Sequence, residues 1–383
     1  QIKALLIDQY DMKNKRLDVT RPLIPPLSEF IEYLERIWTS KILTNKGPIH
    51  EEFETAVADY LGVKYISLFS SGTVALLAAI RVLKLSGEII TTPYTFVATA
   101  HSIVWSGAKP IFVDIDPTTL NIDSAKIEAA ITEKTTGILP VHCYGDSCDV
   151  SMIKNIAESN GLKVIYDAAA SFGVEDEGGS ILRHGDLSIL SFHATKVFNT
   201  FEGGAVISPD LETKQHIDHL RNFGFANEET VVVEGINGKL SEIHAAFGLL
   251  QLKYIDESLE KRKQIFSTYT EALKTLDEIA LMKPNAQLRR NYSYFPVFIQ
   301  DQCPISRDEL YHLLKKKNIF ARRYFYPLIS EFPMYRSLPS SCKDNLPIAL
   351  DVSNRVICLP IYPELGIEDV SLIANAIREL VSG

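Results

Sequence analysis

The segment 187–208, LSILSFHATKVFNTFEGGAVIS, decides the interpretation of this chain. Its apolar runs at 187–192 and 205–207 predict two buried strands. The connection between them carries one amine, Lys196, next to two glycines that permit close backbone approach. A lysine in partly dry surroundings has a lowered pKa and can attack a carbonyl group. An ordinary surface lysine would fit this segment equally well, so the upstream sequence has to distinguish the two.

Upstream of this segment, short apolar runs alternate with helical patterns. They predict strands at 65–69, 88–91, 110–114, 136–141 and 163–167, and helices at 27–40, 49–61, 74–85, 95–105, 124–131 and 150–160. Ser28 is the expected N-cap of the first helix. Strands that alternate with helices indicate a mostly parallel sheet covered on both faces, so we predict an α/β fold.

The pattern changes after Pro209. Residues 240–276 are rich in helix formers and predict one long helix or two, followed by a strand at 292–299 and helices at 307–316 and 367–381. We therefore predict a large α/β domain over residues 1–240 and a smaller α+β domain over residues 241–383.

Composition narrows the class of protein. The 383 residues carry a net charge of −9, which argues against a nucleic-acid partner. Five scattered cysteines suit neither a disulfide framework nor a zinc site, and we expect no metal. No apolar stretch approaches the roughly 20 residues of a membrane span, and no signal peptide is evident. We expect a cytoplasmic protein with no membrane partner.

Polar residues mark the ends of three predicted strands. Ser71-Gly72-Thr73 lies between a strand and a helix, where exposed N–H groups could hold a phosphate, although simple helix capping is an alternative. Asp167 ends an apolar strand and needs a partner, either a cationic ring nitrogen or backbone N–H groups. Lys196 is the third. Neither a dinucleotide nor a P-loop motif is present.

A single cofactor, pyridoxal 5'-phosphate (PLP), would use all of these groups. It needs a phosphate seat, an aromatic ring to stack on its pyridine, a carboxylate at the pyridine nitrogen and a lysine for its aldehyde. The aromatic segment 94–96 supplies the ring. Each signal is weak alone, and the set predicts a PLP site.

Several longer motifs resemble those of one known family, the DegT/DnrJ/EryC1/StrS sugar-nucleotide aminotransferases, which are PLP enzymes of fold type I. The most specific is the SFHxxK…EGG block that contains Lys196. The others are Gly47-Pro48, Ser71-Gly72-Thr73, TPYTFVAT at 92–99, PIFVD at 110–114, Asp167-Ala168-Ala169, Asn237 with Leu240-Ser241-Glu242, and LPIYP at 359–363.

The resemblance implies a role for each matching residue. Lys196 is implied as the catalytic Schiff-base lysine, and the remaining implied cofactor-binding residues are Gly72, Thr73, Phe96, Asp167, Ser191 and Asn237. In the family, the loop containing Asn237 reaches the neighbouring subunit's phosphate, which implies a homodimer with shared active sites.

The implied reaction moves an amino group from an amino acid, expected to be L-glutamate, to a nucleotide-linked keto-6-deoxyhexose. The resemblance favours dTDP-4-keto-6-deoxyglucose as acceptor, giving dTDP-4-amino-4,6-dideoxyglucose. A C3-aminotransferase, a PLP-dependent sugar dehydratase and a non-catalytic sensor on the same fold remain alternatives. Lys196 argues against the dehydratase, because known examples have histidine at that position.

Four further residues carry expectations about activity and substrate. Family members often have Gln, His or Glu three residues after the strand-end Asp, whereas this chain has Ala170, which gives the sensor alternative slight support. His193 is a candidate to contact substrate, or a structural residue under its loop. Arg322 and Tyr324 combine basic and aromatic groups that suit a nucleotide diphosphate, with a structural corner as the alternative.

Overall fold

The computed structural model describes residues 15–382 and is built around a seven-stranded sheet. The strands are β1 Leu17–Asp18, β2 Tyr65–Phe69, β3 Glu88–Thr91, β4 Lys109–Phe112, β5 Thr135–Ile138, β6 Lys163–Asp167, β7 Glu175–Asp176, β8 Gly179–Ser180, β9 Leu187–Ser191, β10 Gly204–Ser208, β11 Ile279–Leu281, β12 Phe295–Ile299, β13 Ile319–Phe320 and β14 Val356–Leu359. The helices are α1 Leu27–Ser40, α2 Pro48–Leu61, α3 Gly72–Val82, α4 Ala98–Trp105, α5 Ser124–Ile127, α6 Val150–Asn160, α7 Leu211–Leu220, α8 Glu242–Leu252, α9 Ile255–Leu273, α10 Arg307–Lys316, α11 Pro347–Arg355 and α12 Ile367–Val381.

The order of strands in the large sheet is β2-β10-β9-β6-β5-β3-β4. The pairs β3–β4, β3–β5, β5–β6 and β6–β9 are parallel, and β10 runs antiparallel to both β2 and β9. The mostly parallel sheet is therefore confirmed. Because β10 is antiparallel to both of its neighbours, β2 and β9 run in the same direction. The carboxyl ends of β2, β6 and β9 therefore lie at one edge of the sheet, and β10 begins at that edge. Ligands of open α/β sheets bind beyond such carboxyl ends.

Apolar side chains cover both faces of this sheet. One buried cluster joins α2 and α8 to β2, β9 and β10, and includes Phe53, Leu190 and Leu250. Another places α3 on the opposite face through residues such as Leu76 and Ile189. Burial on both faces explains why the strands have continuous apolar runs instead of alternation.

Each predicted element is found, several with bounds that differ by a few residues, such as 98–105 for the helix predicted at 95–105 and 135–138 for the strand predicted at 136–141. Three differences are larger. Helix α1 begins after Pro26, so the predicted capping role of Ser28 is wrong, and Ser28 lies inside the first turn. The fixed backbone of the proline sets the helix start. The run 240–276 forms two helices, α8 and α9, and the helix predicted at 124–131 has only four α-helical residues.

The C-terminal part contains an antiparallel sheet, β11-β12-β14, packed on α9, α10 and α12. The short strand β1 pairs with β13 and places Leu17 in this cluster. Helix α9 joins the two regions, because Ile255 packs with the large sheet and Ile265 with the C-terminal cluster. The predicted division at residue 240 stays a prediction. Across residues 15–382, no helix combines the length and hydropathy needed to cross a membrane.

Candidate active site

A cavity of about 300 Å³ lies at the edge where β2, β6 and β9 end. The structure brings eight of the predicted site residues to its wall: Gly72, Thr73, Phe96, Asp167, Ser191, His193, Lys196 and Tyr324. These residues span some 250 positions of sequence and come together because the strand ends converge. Their placement is observed, while their roles stay predictions.

The start of helix α3 forms one end of the cavity. The Ser71 hydroxyl accepts a hydrogen bond from the backbone N–H of Val74 at 3.2 Å, so the capping alternative is correct for Ser71. This leaves other N–H groups of the first turn without intrahelical partners. Strand β10 packs tightly here, because a Cβ on Gly204 would lie 2.6 Å from the backbone N of Gly72. Capping and anion binding are therefore compatible at this helix start.

Asp167 is buried at the end of β6. One carboxylate oxygen accepts a hydrogen bond from the Thr99 hydroxyl at 2.7 Å, and the other accepts one from the Ala169 N–H at 3.1 Å. Burial raises the pKa of the carboxyl, and these two hydrogen bonds and the charge of Lys196 oppose that rise. A carboxylate held only by neutral donors in a dry pocket would gain from a nearby cation.

Lys196 lies in a turn that is fixed at both ends. Its N–H donates to the His193 carbonyl at 2.8 Å, and the N–H of Thr200 donates to the Phe192 carbonyl at 2.9 Å. Phe198, two residues on, is fully buried and anchors the loop. Burial lowers the pKa of the Lys196 amine, and nearby Asp167 and Tyr324 oppose the shift. The surface-lysine alternative does not fit a partly buried amine on a cavity wall.

The aromatic segment at 94–96 divides into two environments. Tyr94 is fully buried, whereas the ring of Phe96 is 62% exposed and borders the cavity. His193 is exposed at the rim, where its Nδ1 lies 2.8 Å from the Thr195 hydroxyl and its Nε2 lies 3.7 Å from Glu202. An aromatic face open to the cavity is available for stacking.

Two predicted site residues do not line this cavity. Asn237 is exposed and forms an isolated bridge with Asn222. Arg322 is also exposed, and its backbone pairs with that of Cys358. The exposed Asn237 nevertheless belongs to a segment that lies beside the start of α3, because the Ser70 N–H donates to the carbonyl of the neighbouring Gly238.

The structure also adds cavity residues that the sequence did not suggest. Thr99 donates to Asp167, and Tyr144 and Tyr294 line the wall near Tyr324. The spacing of four residues between Thr95 and Thr99 is a sequence signal that the two hydroxyls lie close together, and they are 3.2 Å apart. No comparable pattern indicates the two tyrosines.

Ala170 lines the cavity at the position where the resemblance led us to expect a larger polar side chain. Its carbonyl is held from behind by the Asn291 amide at 2.8 Å and the Ser293 hydroxyl at 3.0 Å. The backbone is thus fixed, and the methyl side chain offers no hydrogen bond to a ligand.

This geometry brings a lysine amine and a buried carboxylate together at the carboxyl edge of an α/β sheet. The chain belongs to the DegT/DnrJ/EryC1/StrS aminotransferase family, whose sequence profile matches residues 27–378. The family prediction is confirmed, as are the aminotransferase class and the fold expected for it.

Individual relatives match over almost the whole chain. A protein named dTDP-4-amino-4,6-dideoxy-D-glucose transaminase from Shigella dysenteriae is 52% identical over 366 residues, which cover 96% of this chain and 99% of the relative. Its namesake from Escherichia coli is 53% identical over 360 residues, covering 94% and 97%. The crystal structure of DesI in the presence of its TDP-sugar product superposes with a TM-score of 0.92 at 33% identity, covering 96% of this chain and 94% of that one.

Proposed function

We propose that this aminotransferase uses PLP to move the amino group of L-glutamate to dTDP-4-keto-6-deoxyglucose, which gives dTDP-4-amino-4,6-dideoxyglucose. The observation that carries the proposal is the cavity shared by Lys196 and Asp167, an amine with a lowered pKa beside a buried carboxylate. The choice of sugar is supported by the names of the relatives at 52% and 53% identity.

The residues on the cavity wall fit PLP. Gly72, Thr73 and Ser191 would hold its phosphate at the start of α3, where a Cβ on Gly72 would lie 3.0 Å from the Cβ of Ser191. Asp167 would pair with the protonated ring nitrogen. Within residues 15–382 its hydrogen bonds come from neutral donors, and Lys196 acts on it only through its charge, so the ring nitrogen would add a direct cationic partner. Phe96 would stack on the ring.

When bound, PLP supplies an aldehyde for covalent attachment of amines and a ring that accepts an electron pair. Lys196 would hold the aldehyde carbon in the resting enzyme. Once the donor amino acid displaces it, its neutral Nζ would take the proton from the donor Cα. The burial that lowers the pKa of Lys196 keeps a larger neutral fraction of the amine available for both tasks.

We place the nucleotide-linked sugar toward His193 and Tyr324, which lie on the cavity wall, with Arg322 outside it as a candidate for the nucleotide diphosphate. His193 at the rim and the phenol of Tyr324 offer hydrogen bonds to sugar hydroxyls. Arg322 is exposed and offers a planar fork that suits a phosphate.

The direct test incubates the purified protein with PLP, L-glutamate and a panel of nucleotide keto-sugars, and follows products by mass spectrometry and NMR. We expect an amine at C4 of the dTDP-linked sugar, and no product with Lys196→Ala. An amine at C3, or loss of a hydroxyl without amine formation, would contradict the proposed reaction.

We also propose a homodimer in which each subunit completes the other's site. The first helix and the loop after it present exposed apolar side chains, among them Leu27 at 70%, Trp38 at 72% and Leu43 at 64% exposure. A second copy would cover such surface. Asn237 lies outside its own cavity, which supports a role across the interface.

Subunit mixing tests this arrangement. Lys196→Ala and Asn237→Ala proteins are mixed, dissociated and reassociated. If Asn237 acts across the interface, each hybrid contains one intact site, and about a quarter of all sites recover in a random mixture. If Asn237 acts within its own subunit, the hybrid has no intact site and activity stays at the level of the separate variants.

A further inference from the structure

The hydroxyl groups of two buried tyrosines, Tyr94 and the cavity residue Tyr144, meet one backbone carbonyl at the edge of the cavity. The hydroxyl oxygens of Tyr94 and Tyr144 are 2.6 Å apart. The Tyr324 carbonyl oxygen lies 3.0 Å from the Tyr94 hydroxyl and 2.5 Å from the Tyr144 hydroxyl. The three oxygens form a compact triangle. Its members come from different parts of the chain: Tyr94 follows β3, Tyr144 follows β5 and Tyr324 follows β13.

The triangle contains two possible hydrogen-bond donors for one carbonyl oxygen, so one donor is redundant. Each phenol has one proton, so the two phenols can make only two of the three contacts as hydrogen bonds at one time. Either hydroxyl is close enough to donate to the carbonyl if the other is removed. Both side chains are buried, and burial raises the pKa of each phenol well above its ordinary value, so both remain neutral donors.

The backbone at Tyr144 supports a specific positional role. Tyr144 has φ 55° and ψ 14°, in the left-handed region that residues other than glycine rarely adopt. Such a conformation persists only where the surroundings fix it. Here it accompanies the contact between the Tyr144 hydroxyl and the Tyr324 carbonyl.

Tyr324 connects this triangle to the reacting groups. Its side chain lines the cavity, and its phenol is close enough to influence the ionisation of Lys196. Its ring packs edge-on against Tyr294, another cavity residue, at 5.7 Å between centroids. A shift of the Tyr324 backbone would therefore move part of the cavity wall.

We propose that Tyr94 and Tyr144 act as a redundant hydroxyl pair that fixes the Tyr324 carbonyl and so positions the Tyr324 side chain to bind the nucleotide-linked keto-sugar. Both are positioning residues, because they act through Tyr324. The inference rests on the proposed function for its substrate, while the triangle of oxygens stands independently of that function.

The test compares Tyr94→Phe, Tyr144→Phe and the double variant, which remove only hydroxyl oxygens. Tyr269→Phe is the matched control, because Tyr269 is fully buried and its hydroxyl has no hydrogen-bond partner among residues 15–382. We expect each single variant to raise KM for the keto-sugar by no more than about threefold. The double variant should raise it about tenfold beyond the product of the single effects. The control should match the wild type.

A Tyr324→Ala background separates positioning from general support of the fold. It keeps the backbone carbonyl and removes the side chain through which the pair is proposed to act. In this background the double variant should leave KM for the keto-sugar unchanged. A rise as large as in the parent protein would overturn the proposal, as would independent single effects in the parent.

Urea unfolding of the same variants gives a readout that needs no substrate. The double variant should lower the midpoint by more than the two single shifts combined, because only it leaves the carbonyl without a donor. Additive shifts would overturn the redundancy. If no keto-sugar is aminated by the wild type, the proposed function fails, and the unfolding measurement still decides whether the hydroxyl pair exists.

Discussion

Two buried carboxylates in this protein have opposite surroundings. Glu54 lies in an ion-pair cluster, with Lys214 Nζ at 2.8 Å, Arg221 Nη2 at 3.3 Å and His50 Nε2 at 3.5 Å. Asp167 lies on the cavity wall and, within residues 15–382, accepts hydrogen bonds only from neutral donors, the Thr99 hydroxyl and the Ala169 N–H. Both side chains are largely out of water.

Their pKa values shift in opposite directions. Burial alone would raise the pKa of Glu54, but the nearby imidazole of His50 and the charges of Arg221 and Lys214 lower it. At Asp167 burial prevails and the pKa is raised. The difference teaches that a buried charge with its cations present belongs to the scaffold, whereas one without them is suited to a ligand that brings the cation.

The largest predicted effect is a difference in turnover between alanine variants of the two lysines near these carboxylates, Lys196 and Lys214. Lys196→Ala removes the proposed nucleophile and should lower turnover at least about 10³-fold, with little change in the urea midpoint. Borohydride treatment should no longer fix the cofactor to the protein. Lys214→Ala should do the reverse, with a lower midpoint and turnover per folded molecule close to wild type. Substantial turnover in Lys196→Ala would break the distinction.

Replacing each carboxylate by its amide should change stability in opposite directions. Glu54→Gln removes one of the two carboxylates that pair with the buried Arg221 and leaves only Asp218, 2.8 Å from Nη2, among residues 15–382. It should cost about 2 kcal/mol of unfolding free energy at pH 7. Asp167→Asn should make the cofactor-free protein more stable than wild type at pH 7, because it removes an ionised group that burial penalises. Urea unfolding of both cofactor-free variants measures the difference.

The pH dependence of the unfolding free energy tests the direction of the change expected for each amide variant. Glu54 has a lowered folded pKa, so its stabilisation is present above the unfolded value of about 4.3 and is lost as pH falls. Asp167 has a raised folded pKa, so its ionisation destabilises the protein as pH rises above about 3.9. Both differences from wild type should therefore shrink at acidic pH. If both variants are less stable than the wild type at pH 7, or both are more stable, the comparison is refuted.

The sequence predicted what depends on local pattern. Apolar runs placed β2, β3 and β6 at their observed bounds, and the rule that ligands bind beyond the carboxyl ends of strands brought Asp167 and Lys196 to one site. The helix bounds were less accurate where caps decide them, as at Pro26.

The remaining features depend on contacts between distant parts of the chain. The bond from Thr99 to Asp167 joins residues 68 positions apart, and that from Tyr144 to Tyr324 joins residues 180 apart. A threonine in a helix or a tyrosine in a loop has many ordinary uses, so its partner appears only after folding. The same holds for Glu54, whose cations come from helix α7 and the residue that follows it.

A smaller effect should follow from the donor to Asp167. Thr99→Val keeps the shape of the side chain and removes the hydroxyl, which should cost roughly 1 kcal/mol, or about fivefold, in the kcat/KM of the glutamate half-reaction. Thr95→Val is the matched control, since its hydroxyl contacts Thr99 and lies one step further from the carboxylate. Rapid-mixing absorbance measurements of the bound cofactor give both rates. Equal effects of the two substitutions would exclude a specific role for Thr99.

The smallest effect concerns the side-chain caps of two helices. Ser71 caps α3 at the cavity and Asp149 caps α6 on the exposed surface, where it accepts a hydrogen bond from the Met152 N–H at 3.0 Å. Ser71→Ala and Asp149→Ala should each cost about 1 kcal/mol of unfolding free energy. Only Ser71→Ala should also weaken PLP binding, measured by equilibrium titration, because loosening the first turn of α3 disorders the N–H groups proposed to hold the phosphate. If both variants bind PLP as the wild type does, the start of α3 is a structural cap like that of α6, and the phosphate seat must be sought elsewhere on the cavity wall.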